Sequence, residues 1–167
     1  DAQLDFSAEL AKAKASGAEA IFVFYPGKAG GAFMKQYEQA GLANKLPLYT
    51  VFTVDAISLP KLQQANMKAV LGSLTTGFWG PGLKTSQNQQ FVSGFREKYG
   101  RYPSFYAAQS YDSIFLINSA VEAVGGNLRD RDGMRAAMEK AAFPSVRGSF
   151  SYGDNHFPIQ NFYLLEV

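Results

Sequence analysis

The 167-residue sequence contains no cysteine and a single histidine. It therefore offers no disulfide framework, no thiolate nucleophile and no Cys-based zinc site, and one histidine cannot build a multi-histidine metal centre. Charge of one sign is also scarce, with 16 Lys+Arg against 14 Asp+Glu and a formal net charge of +2. The basic residues are scattered singly, so nucleic acid is not an expected partner. No apolar run approaches the roughly 20 residues of a membrane helix. The start Asp1-Ala2-Gln3-Leu4-Asp5 lacks the basic and then apolar pattern of an export signal. A soluble chain, or a mature or truncated piece of an exported protein, is the expectation.

Aromatic residues are plentiful: 14 Phe, nine Tyr and one Trp make 14% of the chain. Rings bury about 150–250 Å² each, so most should fill a core. Those at strand ends and in loops are the exceptions to examine.

Asp5 is placed to cap a first helix running to about Ser16, with Leu4, Ala8, Ala11 and Ala15 on one face and Gly17 as its stop. Ala20 to Tyr25 is apolar throughout and predicts a strand covered by helices on both faces. A second helix is expected from about Gly30 to Ala40 with Phe33, Met34 and Tyr37 inward, then a strand over Leu46 to Val54 and a short helix opened by Ser58-Leu59-Pro60. Ala69 to Thr76 reads as a third strand. This alternation implies βαβ units and a parallel sheet, hence an α/β fold. Three successive helices follow: Thr85 to Tyr99 with Phe91, Phe95 and Tyr99 inward; Ser104 to Val124 with Tyr111, Ile114, Phe115 and Val121 inward; and about Asp132 to Ala142. Strands return at Gly148 to Tyr152 and Ile159 to Val167, around a turn at Gly153-Asp154-Asn155. Length alone suggests one domain. Helices without strands to cover them predict instead a fragment of a larger protein whose other parts complete two sheets, with crossings near Gly80-Pro81-Gly82 and Pro144-Ser145.

Catalytic templates fit poorly. There is no Gly-x-Ser-x-Gly and no His-Glu-x-x-His, His156 sits beside a turn, and Asp130/Asp132 reads as a charged helix start. No metal site and no cofactor is expected. Tyr25-Pro26-Gly27-Lys28-Ala29-Gly30-Gly31 is a glycine-rich junction between a strand and a helix N-terminus, which either meets a small anion or simply allows a tight turn and close helix–sheet packing. It matches neither the dinucleotide nor the P-loop spacing. Ligands of open α/β sheets bind beyond the carboxyl ends of the strands. The residues there are Tyr25 and Pro26, Phe52 and Thr53, and Phe78 and Trp79, an aromatic set suited to the walls of a pocket for a flat or apolar ligand.

Asp5-Phe6-Ser7-Ala8-Glu9-Leu10 with the following Ala-Lys-Ala-Lys-Ala-Ser-Gly-Ala-Glu-Ala-Ile-Phe-Val, then Phe33-Met34-Lys35-Gln36-Tyr37 leading to Ala40-Gly41-Leu42, resembles the leucine/isoleucine/valine-type solute-binding proteins of ABC importers. Phe91 to Gly100, Tyr102-Pro103 and the Tyr111-Asp112 helix resemble that family's second half, and His156 to Tyr163 is similar to its aromatic-acid-binding branch. The resemblance implies a type I periplasmic-binding fold of two α/β lobes joined by hinge crossings. This chain is then similar to the C-terminal half: residues 1–77 from the second lobe, 78–147 from the first lobe's helices, and 148–167 returning to second-lobe strands.

The resemblance further implies a non-enzymatic periplasmic receptor that captures a small carboxylate, partnered by a membrane ABC permease and by the remaining N-terminal half of the same protein. Tyr25 matches a cleft-facing aromatic region, and Gly27 belongs to the same junction. Phe52 stands where amino-acid binders place an acid for the ligand ammonium, which shifts the expectation towards an aromatic acid. Tyr106 matches a cleft-lining aromatic, with Gln109 a turn further on. The alternatives are a branched-chain amino acid as ligand, a sensor or regulator domain of the same fold, and a nucleotide-binding enzyme fragment.

Overall fold

The computed structural model of the protein describes residues 3–149 and 151–167. Asp1, Ala2 and Phe150 of the expected Gly148–Tyr152 strand lie outside the described residues. The elements, in chain order, are α1 (Ser7–Ala15), β1 (Ile21–Val23), α2 (Lys28–Gln39), β2 (Leu48–Thr50), α3 (Leu59–Gln64), a 3₁₀ turn (Lys68–Val70), β3 (Leu74–Gly77), α4 (Ser86–Tyr99), α5 (Phe105–Ala123), α6 (Arg131–Lys140), β4 (Ser151–Tyr152), β5 (Pro158–Ile159) and β6 (Tyr163–Glu166).

Helix boundaries follow short-range chemistry. Thr85, Ser104 and Asp130 cap α4, α5 and α6, each side-chain oxygen accepting from the backbone N–H three residues on. Gly100 closes α4 with φ 66°, a left-handed C-terminal stop. At α1 the Asp5 carboxylate accepts from the Ser7 amide and hydroxyl, and these bonds hold its pKa below the usual value.

The chain divides into two compact units, one running to Gly77 with Leu164–Val167 added, the other Phe78–Tyr163. Residues 148–163 thus lie with the helical unit, and the last four residues with the sheet. In the first unit β1, β2 and β3 run parallel, with Ile21, Phe22 and Val23 opposite Leu48, Tyr49 and Thr50, and Tyr49 opposite Leu74. β6 lies beyond β3 in the sheet order. There the Gly72 amide donates to the Val167 carbonyl (2.9 Å) and the Val167 amide donates to Ser73 (3.1 Å). Leu10 of α1, Phe33, Met34 and Tyr37 of α2 and Leu62 of α3 form one core with Val23 and Leu48. In the second unit Trp79, Phe91, Val92, Ala108 and Val146 are the core, and β4 and β5 pair antiparallel.

Several expectations are corrected. β1 is not covered on both faces in this chain: Val23 is buried, but Phe22 is 71% exposed, because the core described above collects on one side of the sheet. α1 turns Phe6 and Leu10 inward and leaves Leu4, Ala8, Ala11 and Ala15 exposed. The cause is Gln36 of α2, which accepts from the Phe6 amide (2.7 Å) and donates to the Leu4 carbonyl (2.7 Å), fixing how the chain enters the helix. α5 buries Ala108, Asp112 and Ala120, with Tyr111 and Ile114 exposed, because Asp112 is held inside by the loop at residues 145–147. Tyr99 is exposed at the end of α4. The third strand begins at Leu74, since the Lys68 and Ala69 amides donate to the Glu38 carboxylate and the chain forms a 3₁₀ turn there. The expected Ile159–Val167 strand is two short strands, β5 and β6.

Candidate functional site

In the first unit the carboxyl ends of β1 and β2 are tied together. The Val51 amide donates to Val23 (3.1 Å), and the Tyr25 amide donates to Thr53 Oγ1 (2.8 Å). Thr53 is buried, so its hydroxyl aligns the two strand ends rather than facing solvent. The helix α2 approaches the same point closely: a Cβ on Gly30 would run into the Tyr25 carbonyl and lie 3.2 Å from that of Thr53. Gly27, with φ 68° and ψ −131°, turns the exposed Pro26-Gly27-Lys28 segment into α2, a conformation that needs glycine.

The rings divide between the two faces of the sheet end. Tyr25 is half-buried on the helix side, its ring centroid 4.6 Å from Phe6 and 5.6 Å from Phe33. Phe24 points the other way, is 54% exposed, and meets Phe52 edge-to-face at 5.8 Å and 74°. Phe52 holds φ 55°, a left-handed conformation uncommon for a bulky side chain. Strain of this kind costs of order 1–3 kcal/mol and persists where the surroundings impose it, often at ligand sites. Sequence reasoning counted Phe24 as strand interior and missed it; its place one residue before the strand-end Tyr25, on the alternate face, was the available signal.

Asp55 is the nearest acid in sequence to Phe52, and its Oδ1 accepts from the Ile57 (2.9 Å) and Ser58 (2.8 Å) amides, ahead of α3. It therefore serves as a local turn acceptor.

In the second unit Trp79 is buried, donating from Nε1 to Asn88 Oδ1 (2.7 Å), while Asn88 Nδ2 donates to the Gly80, Pro81 and Leu83 carbonyls. That arrangement anchors the Gly80–Leu83 loop on α4. Phe78 is half-buried, edge-on to Phe105 at 5.9 Å, with the Arg147 guanidinium 5.8 Å from its centroid. Tyr106 and Gln109 lie on the exposed surface of α5, three residues apart and so on one side of the helix. The structure thus brings Tyr25, Pro26, Gly27, Phe52 and Thr53 together in one unit, and Tyr106 and Gln109 in the other. Among the described residues no cluster of His, Asp and Glu is arranged to hold a metal ion.

A family model described as periplasmic binding protein matches residues 1–167. The chain belongs to that family. A curated relative, the Leu/Ile/Val-binding protein homolog 6 of Brucella abortus (strain 2308), is 32% identical over 171 residues, covering 98% of the chain and 42% of the relative. Among solved structures, a solute-binding protein of an ABC transporter from R. palustris, in complex with benzoate, has a TM-score of 0.86 and 32% identity over 99% of this chain and 44% of its own. One from Rhodopseudomonas palustris BisB5, in complex with 3,4-dihydroxybenzoic acid, has a TM-score of 0.81 and 30% identity over 97% and 44%. The expected type I periplasmic-binding fold is therefore the fold of this chain, which spans less than half the length of the relatives it matches.

Proposed function

We propose that the protein containing this chain is a non-catalytic extracytoplasmic receptor that captures a small aromatic carboxylate and delivers it to a membrane ABC permease. The observation that carries this reading is the Phe24–Phe52 pair: two rings at the carboxyl ends of adjacent parallel strands, one of them more than half exposed and the other on a left-handed backbone. Such a pair offers an aromatic ligand a stacking or edge contact. The exposed turn at Pro26-Gly27-Lys28, opening α2, supplies backbone N–H groups and an ammonium suited to a carboxylate. On the second unit the proposed ligand contacts are Phe78, Tyr106 and Gln109; Trp79 is buried in the core cluster against which Phe78 packs.

The benzoate- and dihydroxybenzoate-bound neighbours favour this ligand class. A branched-chain amino acid is the second reading, favoured by the names of the curated relatives. It needs an anion for the ligand ammonium. Phe52 provides none.

Isothermal calorimetry of the full-length protein with benzoate, 4-hydroxybenzoate, leucine and isoleucine tests the proposal. Saturable binding of the benzoates with weaker or no binding of the amino acids is expected. Binding of leucine or isoleucine in preference to both benzoates would overturn the aromatic-acid reading.

A further inference from the structure

Arg147 keeps a charged side chain that is only 8% exposed, beside an Asp112 side chain that is 1% exposed. A buried ion pair is weak evidence of a stabilising role, since apolar side chains of similar volume often serve as well. Asp112 has a structural task of its own, because its carboxylate accepts from the Ser145 hydroxyl and the Val146 amide and so ties that loop to α5. Neither bond needs the guanidinium. What Arg147 adds is reach in two directions from one fixed point. With Nε on Asp112 (2.8 Å), its NH1 donates to Gln160 (3.1 Å), and its guanidinium carbon lies over the Phe78 ring, 5.8 Å from the centroid. That is within cation–π range, and two acceptors hold the planar fork in place over the ring.

Phe78 is the first residue of the second unit, half-buried, and stands edge-on to Phe105 at 5.9 Å and 88°. The Phe105 centroid is 4.0 Å from that of the exposed Tyr106. Both proposed ligand rings of this unit, Phe78 and Tyr106, therefore lean on Phe105, and Arg147 supports the row from its buried end. We infer that Arg147 is a positioning residue for the ligand site: anchored on Asp112 and Gln160, its guanidinium fixes the direction of the Phe78 ring and makes that ring a rigid wall for an aromatic carboxylate. A ring fixed in advance loses little freedom when the solute binds, a loss that otherwise opposes affinity. The inference rests on the aromatic-acid function proposed for this site, and it gives Arg147 no contact with the solute.

Two measurements on the full-length protein test it. In the first, 4-fluorophenylalanine at position 78 reports the ring by fluorine NMR in the absence of solute. Arg147→Lys keeps a cation for Asp112 but lacks the planar fork, and Gln160→Leu, which leaves the Asp112 pair whole, is the milder variant. Each should shift or broaden the fluorine resonance while urea unfolding stays cooperative. In the second, calorimetry with benzoate should show Arg147→Lys weakening binding roughly 3- to 30-fold with Phe78 in place and less than ~twofold in a Phe78→Ala background. A merely structural role would not depend on Phe78 in this way. A fluorine resonance unchanged by both variants would overturn the proposal. So would equal losses of affinity with and without Phe78, because Arg147 would then act by another route. Failure of benzoate to bind the unsubstituted protein, with the fluorine shifts still present, would instead remove the aromatic-acid reading and leave Arg147 as the anchor of Phe78.

Discussion

Arg147 Nε donates to Asp112 Oδ2 at 2.8 Å, and both side chains are buried. The pair joins α5 to the loop before β4. Asp112 also accepts from Ser145 Oγ and from the Val146 amide (3.0 Å), and Arg147 NH1 donates to Gln160 (3.1 Å). One carboxylate thereby fixes a helix, a loop and the segment after β5. Removing one partner of a buried pair strands the other charge, whereas replacing both with apolar groups is often nearly neutral. Asp112→Ala should lower stability by about 3–5 kcal/mol, and Asp112→Leu combined with Arg147→Met should recover only part of that loss, because the Val146 amide and Ser145 hydroxyl still lack their acceptor. Urea unfolding of the full-length protein decides; additive losses in the double variant would contradict the pairing.

Tyr37 is buried in the first unit's core and donates its hydroxyl to the Leu46 carbonyl at 2.8 Å. Burial disfavours the phenolate and pushes the pKa above the ordinary 10.0. A group whose folded pKa is raised contributes stability that is fully present below the unfolded value and is lost as pH rises through the folded one. Stability should therefore decline above pH 10. Tyr37→Phe should cost about 1 kcal/mol at neutral pH, from the lost hydrogen bond, and make the alkaline decline shallower. Thermal melts across pH 8–11 would show an unchanged alkaline slope if Tyr37 were not responsible.

Gly30 sits where α2 crosses the strand ends, with no room for a methyl group beside the Tyr25 carbonyl. Gly30→Ala should destabilise by about 1–3 kcal/mol despite alanine's better helix propensity, because the backbone must shift. Gly31, with open space around its Cβ position, is the control: Gly31→Ala should stabilise by up to about 1 kcal/mol. Equal effects at the two positions would refute the close approach.

Thr50 Oγ1 is buried and has no hydrogen-bond partner among the described residues. An unsatisfied buried hydroxyl is costly. Thr50→Val, nearly identical in shape, should raise stability by about 1 kcal/mol. A loss on chemical denaturation would mean that the hydroxyl makes a bond in solution.

Phe52 tests the ligand reading. In the full-length protein Phe52→Ala should weaken benzoate binding by about 1–3 kcal/mol, roughly 5- to 150-fold. Phe52→Glu should shift preference towards leucine by giving the ammonium a partner. Calorimetric affinities unchanged in both variants would remove Phe52 from the site.

Helix ends were legible because the chemistry that makes them is local. Thr85, Ser104, Asp130, Gly17 and Gly100 act on backbone groups within about four residues, and the order of strands and helices follows from the same short-range patterns. Inward faces were less legible. The α5 pattern favoured Tyr111 and Ile114, but the buried face belongs to Asp112, whose partners lie 33 to 35 residues away. Tyr25 and Phe52 were readable as strand-end aromatics, yet which way each ring points was not.

Composition and local pattern by themselves determined an α/β chain with parallel strands and excluded disulfides, thiol chemistry and Cys-based or multi-histidine metal centres, and the order of modest motifs was enough to indicate the family. Tertiary structure alone decided that Phe6, through Gln36, sets the face of α1, that Thr53 joins the strand ends, and that Phe52 sits on a left-handed backbone beside Phe24. It also decided that Phe22 and Tyr49 lie exposed on a sheet whose sequence reads as buried. The reason is one of range. Caps and turns depend on neighbours along the chain, whereas burial and ring direction depend on residues that meet only after folding.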